Sequence, residues 1–267
     1  MKKARIGMIV AMPEKWAVEK NWEIFETLVR RHAKDGVDVF IAPECFLDGY
    51  AVTENDWTVE RFSGVAQALD DSRYVERLKG LAVETDAHIV FGLTERQGED
   101  FFNCALIVGR GGEIVGKYYK THLQSHDLRF KAGQDLPVFN LPFRNGVSMQ
   151  AGVVICADRR WPETIRTLRV RGAEITLMPT YGMWHHDNEW WMRTRAYENE
   201  MFVCFTHPNV ALITNPKGQV EAKLQTNVPS VLVHDLDLGE VTTHMLKDRR
   251  PELYAPLADT TIRFDSR

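Results

Sequence analysis

VSMQAGVVICADRRWPETIRTLRVRGAEITLMP, residues 147–179, decides the architecture. Its opening run, 147–155, is apolar, has the length of a buried strand, and leads straight into Cys156. Pro162 follows where a helix admits proline, in the first turn, because an N–H there has no intrahelical partner to lose. PETIRTLRVRG (162–172) predicts that helix and AEITLMP (173–179) a second buried strand. Strand, helix and strand in that order make a βαβ-like unit, with the strands parallel and the helix covering one face.

Outward from this unit the same alternation recurs. ARIGMIVA (4–11) reads as a buried strand. From 15 to 34, Trp22, Phe25, Leu28, Val29 and His32 recur near helical spacing, with Gly36 behind them as the stop. VDVFIAP (37–43) is the next strand, Tyr74, Leu78, Leu81 and Ala82 mark a helix, and HIVFGL (88–93) follows as a strand. FFNCALIVG (101–109), the turn GRGGE and EIVGKYYK (113–120) form an antiparallel hairpin between the two halves. Beyond 179, WWMRTRAYENE (190–200) is helical, and strand-like runs stand at 202–206, 218–225 and 229–236. No linker rich in Pro, Gly or Ser interrupts the chain, so one α/β domain over residues 1–267 is expected.

A hydrophobic share of 44% and a charged share of 26% exclude disordered and low-complexity classes. The net charge of −4 provides no basic field for nucleic acid or an anionic membrane, so neither is expected as a partner. No window approaches the ~18 consecutive apolar residues of a membrane span. The four cysteines lie far apart without a CxxC pair, which points to a reducing, cytoplasmic setting.

Three reactive side chains stand at the ends of predicted strands, where the strand fixes position and the loop exposes the group. Glu44 follows VDVFIAP directly. Desolvation at the rim of a core suits a carboxylate to general-base work, although the same position also suits a solvated cap. Lys120 closes the hairpin after Tyr118 and Tyr119. A buried ammonium there would stabilise negative charge on a substrate oxygen; a surface lysine fits the same residues. Cys156 stands between a strand and a helix, where the positive helix end and nearby N–H groups favour a thiolate. Cys45, Cys104 and Cys204 read as small core hydrophobes, the usual fate of a free cysteine. Together the three sites supply a thiol nucleophile, a carboxylate to take its proton and a cation for the tetrahedral intermediate.

In order and context these segments resemble the Glu-Lys-Cys motifs of the nitrilase superfamily of carbon–nitrogen hydrolases. The matching stretches are PECFLDGY with Glu44, YYKTHL with Lys120 and CADRRWPE with Cys156. NCALIVGRGGEIVGKYYK, RTRAYENEMFV and DRRPELY (248–254) extend the resemblance over roughly residues 5–258. It implies a four-layer α-β-β-α sandwich, commonly assembled as a homodimer or higher homo-oligomer, with no cofactor or metal. It also implies that Glu44 is the general base and that Cys156 attacks a carbonyl carbon to form a thioester. Lys120 and the backbone N–H of Ala157 would then hold the oxyanion. Many relatives carry a second Glu after the lysine motif; the nearest acid here is Asp127, one methylene shorter, so its loop must come closer.

Cys156-Ala157-Asp158 is similar to amidase-type members rather than to the Cys-Trp-Glu of true nitrilases. DRRWPET resembles the N-carbamoyl-D-amino-acid hydrolases, whose arginines grip a substrate carboxylate, which makes Arg159 and Arg160 candidates for bidentate pairing. Arg160 also suits a structural ion pair. MPTYGMWHHDNEWW (178–191) should line the pocket, with Tyr181, Trp184 and His185 as substrate contacts together with Tyr50, while Trp190 and Trp191 read as helix packing. The expected substrate is a small linear amide or N-carbamoyl compound.

Competing readings are a nitrile hydrolase using the same triad and a non-catalytic binding or scaffold protein. Nine histidines raise metal hydrolysis, but HExxH is absent and His122/His126 lack a third ligand at a recognisable spacing. The papain-like cysteine signature is missing too. GRGG (109–112) lacks the GK[ST] of a phosphate loop.

Overall fold

Apolar runs without alternation belong to strands covered on both faces, and such runs form the centre of this molecule. The computed structural model describes residues 2–182 and 186–261. Its first sheet takes β1 (Lys3–Val10), β2 (Val39–Ile41), β3 (His88–Gln97), β4 (Asp100–Val108) and β5 (Ile114–Tyr119). The second takes β6 (Val138–Pro142), β7 (Ser148–Val153), β8 (Ile175–Pro179), β9 (Phe202–His207), β10 (Val210–Thr214) and β11 (Val220–Gln225). The chain then returns to the first sheet as β12 (Ser230–Asp237). The six-stranded orders are β12-β1-β2-β3-β4-β5 and β11-β10-β9-β8-β7-β6. Among the described strands, parallel pairing joins β1/β2/β3 and β7/β8/β9, the two βαβ halves.

The sheets pack face to face. Ile6, Met8, Ile41, Val90 and Ile107 of one meet Met149, Val153, Leu177, Phe202 and Cys204 of the other. Helices α1 (Val18–Arg31) and α3 (Arg73–Thr85) cover the outer face of the first sheet, burying Trp22, Phe25, Leu28, Leu78 and Leu81. Helices α4 (Pro162–Val170) and α5 (His186–Asn199) cover the second with Ile165, Leu168, Met192 and Ala196. Each large apolar side chain so buried contributes about 1.5–3 kcal/mol relative to exposure. This is the expected α-β-β-α sandwich. Short helices α2 (Val59–Val65) and α6 (His244–Lys247) lie outside the four layers. No helix among the described residues is long and apolar enough to cross a membrane.

The elements depart from the sequence reading in identifiable places. Helix α1 stops at Arg31 and passes through a 3-10 turn, Ala33–Asp35, before the left-handed Gly36 at φ 68°. Pro208 and Asn209 form the turn of a hairpin whose second strand, β10, lies outside the expected strand runs at 202–206 and 218–225. Edge strand β6 carries Asn140 and ends on Pro142, so its sequence lacks a strand signature. Helix α5 begins at His186 rather than at 190.

Candidate active site

The loops that follow β2, β5, β7 and β8 converge at one end of the seam between the sheets. Glu44 arrives first. Gly92 in β3 makes its placement possible, since a Cβ there would stand 2.1 Å from Pro43 O. Glu44 is fully buried, with Oε1 accepting from Lys120 Nζ at 2.9 Å and Asn103 Nδ2 at 2.8 Å. Oε2 accepts from Tyr181 N at 2.9 Å. Three fixed donors therefore set the orientation of this carboxylate.

The Lys120 side chain is wholly buried. It donates to Glu44, to Asp127 Oδ2 at 2.6 Å and to Tyr50 Oη at 3.3 Å. Burial opposes its charge, but Glu44, Cys156 and Asp127 outweigh burial and hold its pKa above that of an ordinary lysine. The loop question raised by the shorter acid is settled by a 3-10 turn, Ser125–Asp127. That turn carries Asp127 to Lys120, while its other oxygen accepts from the Tyr50 hydroxyl and Gln124 N donates to Oδ2 at 3.0 Å.

Cys156 begins the 3-10 turn Cys156–Arg160 with φ at 46°, a left-handed conformation uncommon for a side chain with a Cβ. It is 8% exposed. Arg159 Nη1 lies 3.4 Å from its sulfur, and a Cβ on Gly182 would stand 3.2 Å from the same atom. The thiol differs from the sequence expectation. Burial first, and then the charge of Glu44, push its pKa up, while Lys120 and Arg159 pull it down without prevailing.

A cavity of ≈ 810 Å³ opens at the sulfur, lined in part by Tyr50, Ala157, Arg159, Tyr181, Trp191 and His207. Arg159 is 5% exposed, and its other hydrogen-bond partner there is Asn188 Oδ1 at 3.4 Å. The guanidinium faces the rings of Trp191 (5.7 Å) and Phe205 (5.5 Å). Its Nε is buried with no hydrogen-bond partner among the described residues. Arg160 is exposed at the cavity mouth and donates to Gln124 Oε1 at 2.6 Å. The reading of Trp191 as helix packing is corrected, since its ring lines the cavity; Trp190 is 56% exposed on the surface. Trp184 and His185 lie outside the described residues.

Asn103, His207 and Asp158 belong to the site and were not predicted as parts of it. Asn103 carried a signal, as a polar residue inside the apolar strand FFNCALIVG. His207 ends β9, where burial, outweighing its bonds to the backbone of Gly182 and Tyr181, lowers its pKa to about 4. Among the described residues no three His, Cys, Asp or Glu come together as a metal site. His122 instead meets Asp158, and the ring of His126 packs edge-on to Tyr50.

Chemically, this arrangement offers a thiol, a buried carboxylate near it, an ammonium held charged, and an arginine whose Nε has no hydrogen-bond partner among the described residues. The carbon-nitrogen hydrolase family model matches residues 5–244. A protein named nitrilase from Pyrococcus abyssi is 30% identical, with 94% of this chain and 98% of that protein covered. The omega-amidase NIT2 of Mus musculus is 25% identical over 85% of this chain and 88% of its own. An amidase from Nesterenkonia sp. shares the fold with a TM-score of 0.79 at 22% identity, covering 95% of this chain and 96% of that one.

Proposed function

This chain belongs to the carbon–nitrogen hydrolase family, and from that premise we propose that it hydrolyses a small linear amide or N-carbamoyl compound bearing a carboxylate. The observation that carries this reading is Cys156 opening on the cavity, with Glu44 and Lys120 buried behind it and bonded to each other.

In the proposed reaction Glu44 takes the thiol proton of Cys156, and the sulfur attacks the carbonyl carbon. The carbonyl oxygen becomes an oxyanion held by Lys120 and the backbone N–H of Ala157. Glu44 returns the proton to the leaving nitrogen, the C–N bond breaks, and a thioester remains as ammonia or an amine departs. Water, deprotonated by Glu44, then attacks the thioester, releasing the acid and restoring the thiol. Asp127 keeps Lys120 charged and in place. A buried guanidinium near the sulfur, with donor capacity in hand, suits a substrate carboxylate by bidentate pairing; Tyr50, Tyr181 and Trp191 supply the apolar walls.

The name of the Pyrococcus relative favours a second reading, nitrile hydrolysis by the same groups. Cys156-Ala157-Asp158 supports the amide reading instead. The experiment is ammonia release from parallel panels of amides, N-carbamoyl amino acids and nitriles, by wild type and Cys156→Ala. Turnover of amides or carbamoyl compounds by wild type alone is expected. Nitriles as the only substrates would reverse the choice, and equal inertness of both proteins across all panels would remove the hydrolase reading.

A further inference from the structure

Asp158 stands two residues beyond Cys156 and is fully buried, yet it does not line the cavity. Its Oδ2 accepts from the Tyr118 hydroxyl at 2.7 Å and from Ile155 N at 2.9 Å. Its Oδ1 accepts from the Thr121 hydroxyl at 3.0 Å and His122 N at 2.9 Å, with His122 Nδ1 at 2.8 Å. A carboxylate offers about four lone-pair sites, so these donors saturate it and leave nothing for a substrate.

The donors come from both sides of the seam. Tyr118 lies in β5 of the first sheet and Thr121–His122 in the loop after it; Ile155 follows β7 of the second. Between the sheets lies an apolar core crossed by a few polar contacts, such as Tyr181 N to Glu44 Oε2, and apolar attraction has no direction with which to fix their relative register. Hydrogen bonds have one. Lys120 sits between the clamped positions Tyr118 and Thr121, while Cys156 sits between the clamped Ile155 and Asp158 itself.

We propose that Asp158 is a positioning residue that ties the Lys120 loop to the Cys156 turn and so sets the placement of the ammonium against the thiol. Its functional meaning rests on the reaction proposed above, but its effect on the thiol is measurable without any substrate. Lys120 draws the thiol toward ionisation and Glu44 opposes this. Glu44 is held independently by Asn103 and Tyr181. Loosening the Lys120 loop alone therefore leaves Glu44 acting on the sulfur with less compensation.

The test is the pH profile of Cys156 alkylation by iodoacetamide on the full chain, followed peptide by peptide by mass spectrometry. For Asp158→Asn the profile should move upward by about one pH unit. Tyr118→Phe removes one clamp bond while keeping its ring in the intersheet core, and should move the profile the same way by less. On any amide that wild type hydrolyses, kcat for Asp158→Asn should fall roughly 10–100-fold with KM changed less than about threefold. Should Asp158→Asn fail to fold, the Tyr118→Phe profile decides alone. A residue that only stabilises the turn would lower the melting temperature and leave the alkylation profile of the folded protein at its wild-type position. That outcome overturns the proposal. A wild type inert toward every amide would sink the reaction instead, and the alkylation profiles would still decide the role of Asp158.

Discussion

Arg159 Nη1 lies 3.4 Å from Cys156 Sγ, so the guanidinium and the thiol share one wall of the cavity. In the proposed reaction the arginine acts both on the sulfur and on an anionic substrate group bound beside it. Arg159→Leu separates the two effects. Loss of its pull on the thiol slows all substrates alike, whereas loss of carboxylate pairing raises KM only for substrates that carry one. We expect kcat/KM to fall about 10–100-fold further for a carboxylate-bearing substrate than for its neutral amide counterpart. An equal fall for both would leave Arg159 without a recognition role.

Glu44→Gln keeps the size of the side chain and removes its capacity to take a proton. Turnover should drop about 10²–10⁴-fold, the usual contribution of a general base, with the circular dichroism spectrum unchanged. Near-normal turnover would assign the base elsewhere.

Asp127→Asn leaves Lys120 with Glu44 as its remaining carboxylate partner in the buried cluster. Breaking a buried ion pair from one side costs about 3–5 kcal/mol. Urea unfolding should show a loss of that order, together with lower kcat. Stability equal to wild type would mean that Asp127 does not carry the charge balance of Lys120.

His207 links the site to acid stability. Burial lowers its folded pKa to about 4, against 6.5 for the free side chain. Between those values the unfolded chain binds more protons, so stability falls as pH is lowered through that window and is unaffected above it. The contribution is roughly 3 kcal/mol across the window. Burial lowers the pKa of His88 as well, adding to the same slope. Chemical denaturation of His207→Gln between pH 6.5 and 4 should show a shallower slope than wild type. An unchanged slope would show that His207 is not held neutral.

The residues that converge at the candidate site were legible in the sequence because each follows a strand whose apolar run announces it. Glu44 after VDVFIAP, Lys120 after the hairpin and Cys156 after 147–155 all follow that rule. The pull of the Cys156 turn toward a thiolate is local, whereas the opposing burial and the charge of Glu44 come from residues remote in sequence. His207 and the clamp of Asp158 were hidden for the same reason, and Asn103 showed only as a polar residue inside an apolar strand. Each acts across a tertiary contact that no local spacing encodes. Gly92 is the sharpest instance: an unremarkable glycine in HIVFGL whose missing Cβ admits the loop that delivers Glu44. Strands β6 and β10 escaped because Pro142 and the Pro208-Asn209 turn read as breaks.

Glu44 and Lys120 are delivered by one sheet, Cys156 and Arg159 by the other. Neither half alone holds both the nucleophile and the base of the proposed reaction. A chain still emerging from synthesis, or one partly unravelled, thus holds Cys156 apart from Glu44 and Lys120. The parts of the proposed reaction are stored apart, like a two-part adhesive, and meet only when the sandwich has closed.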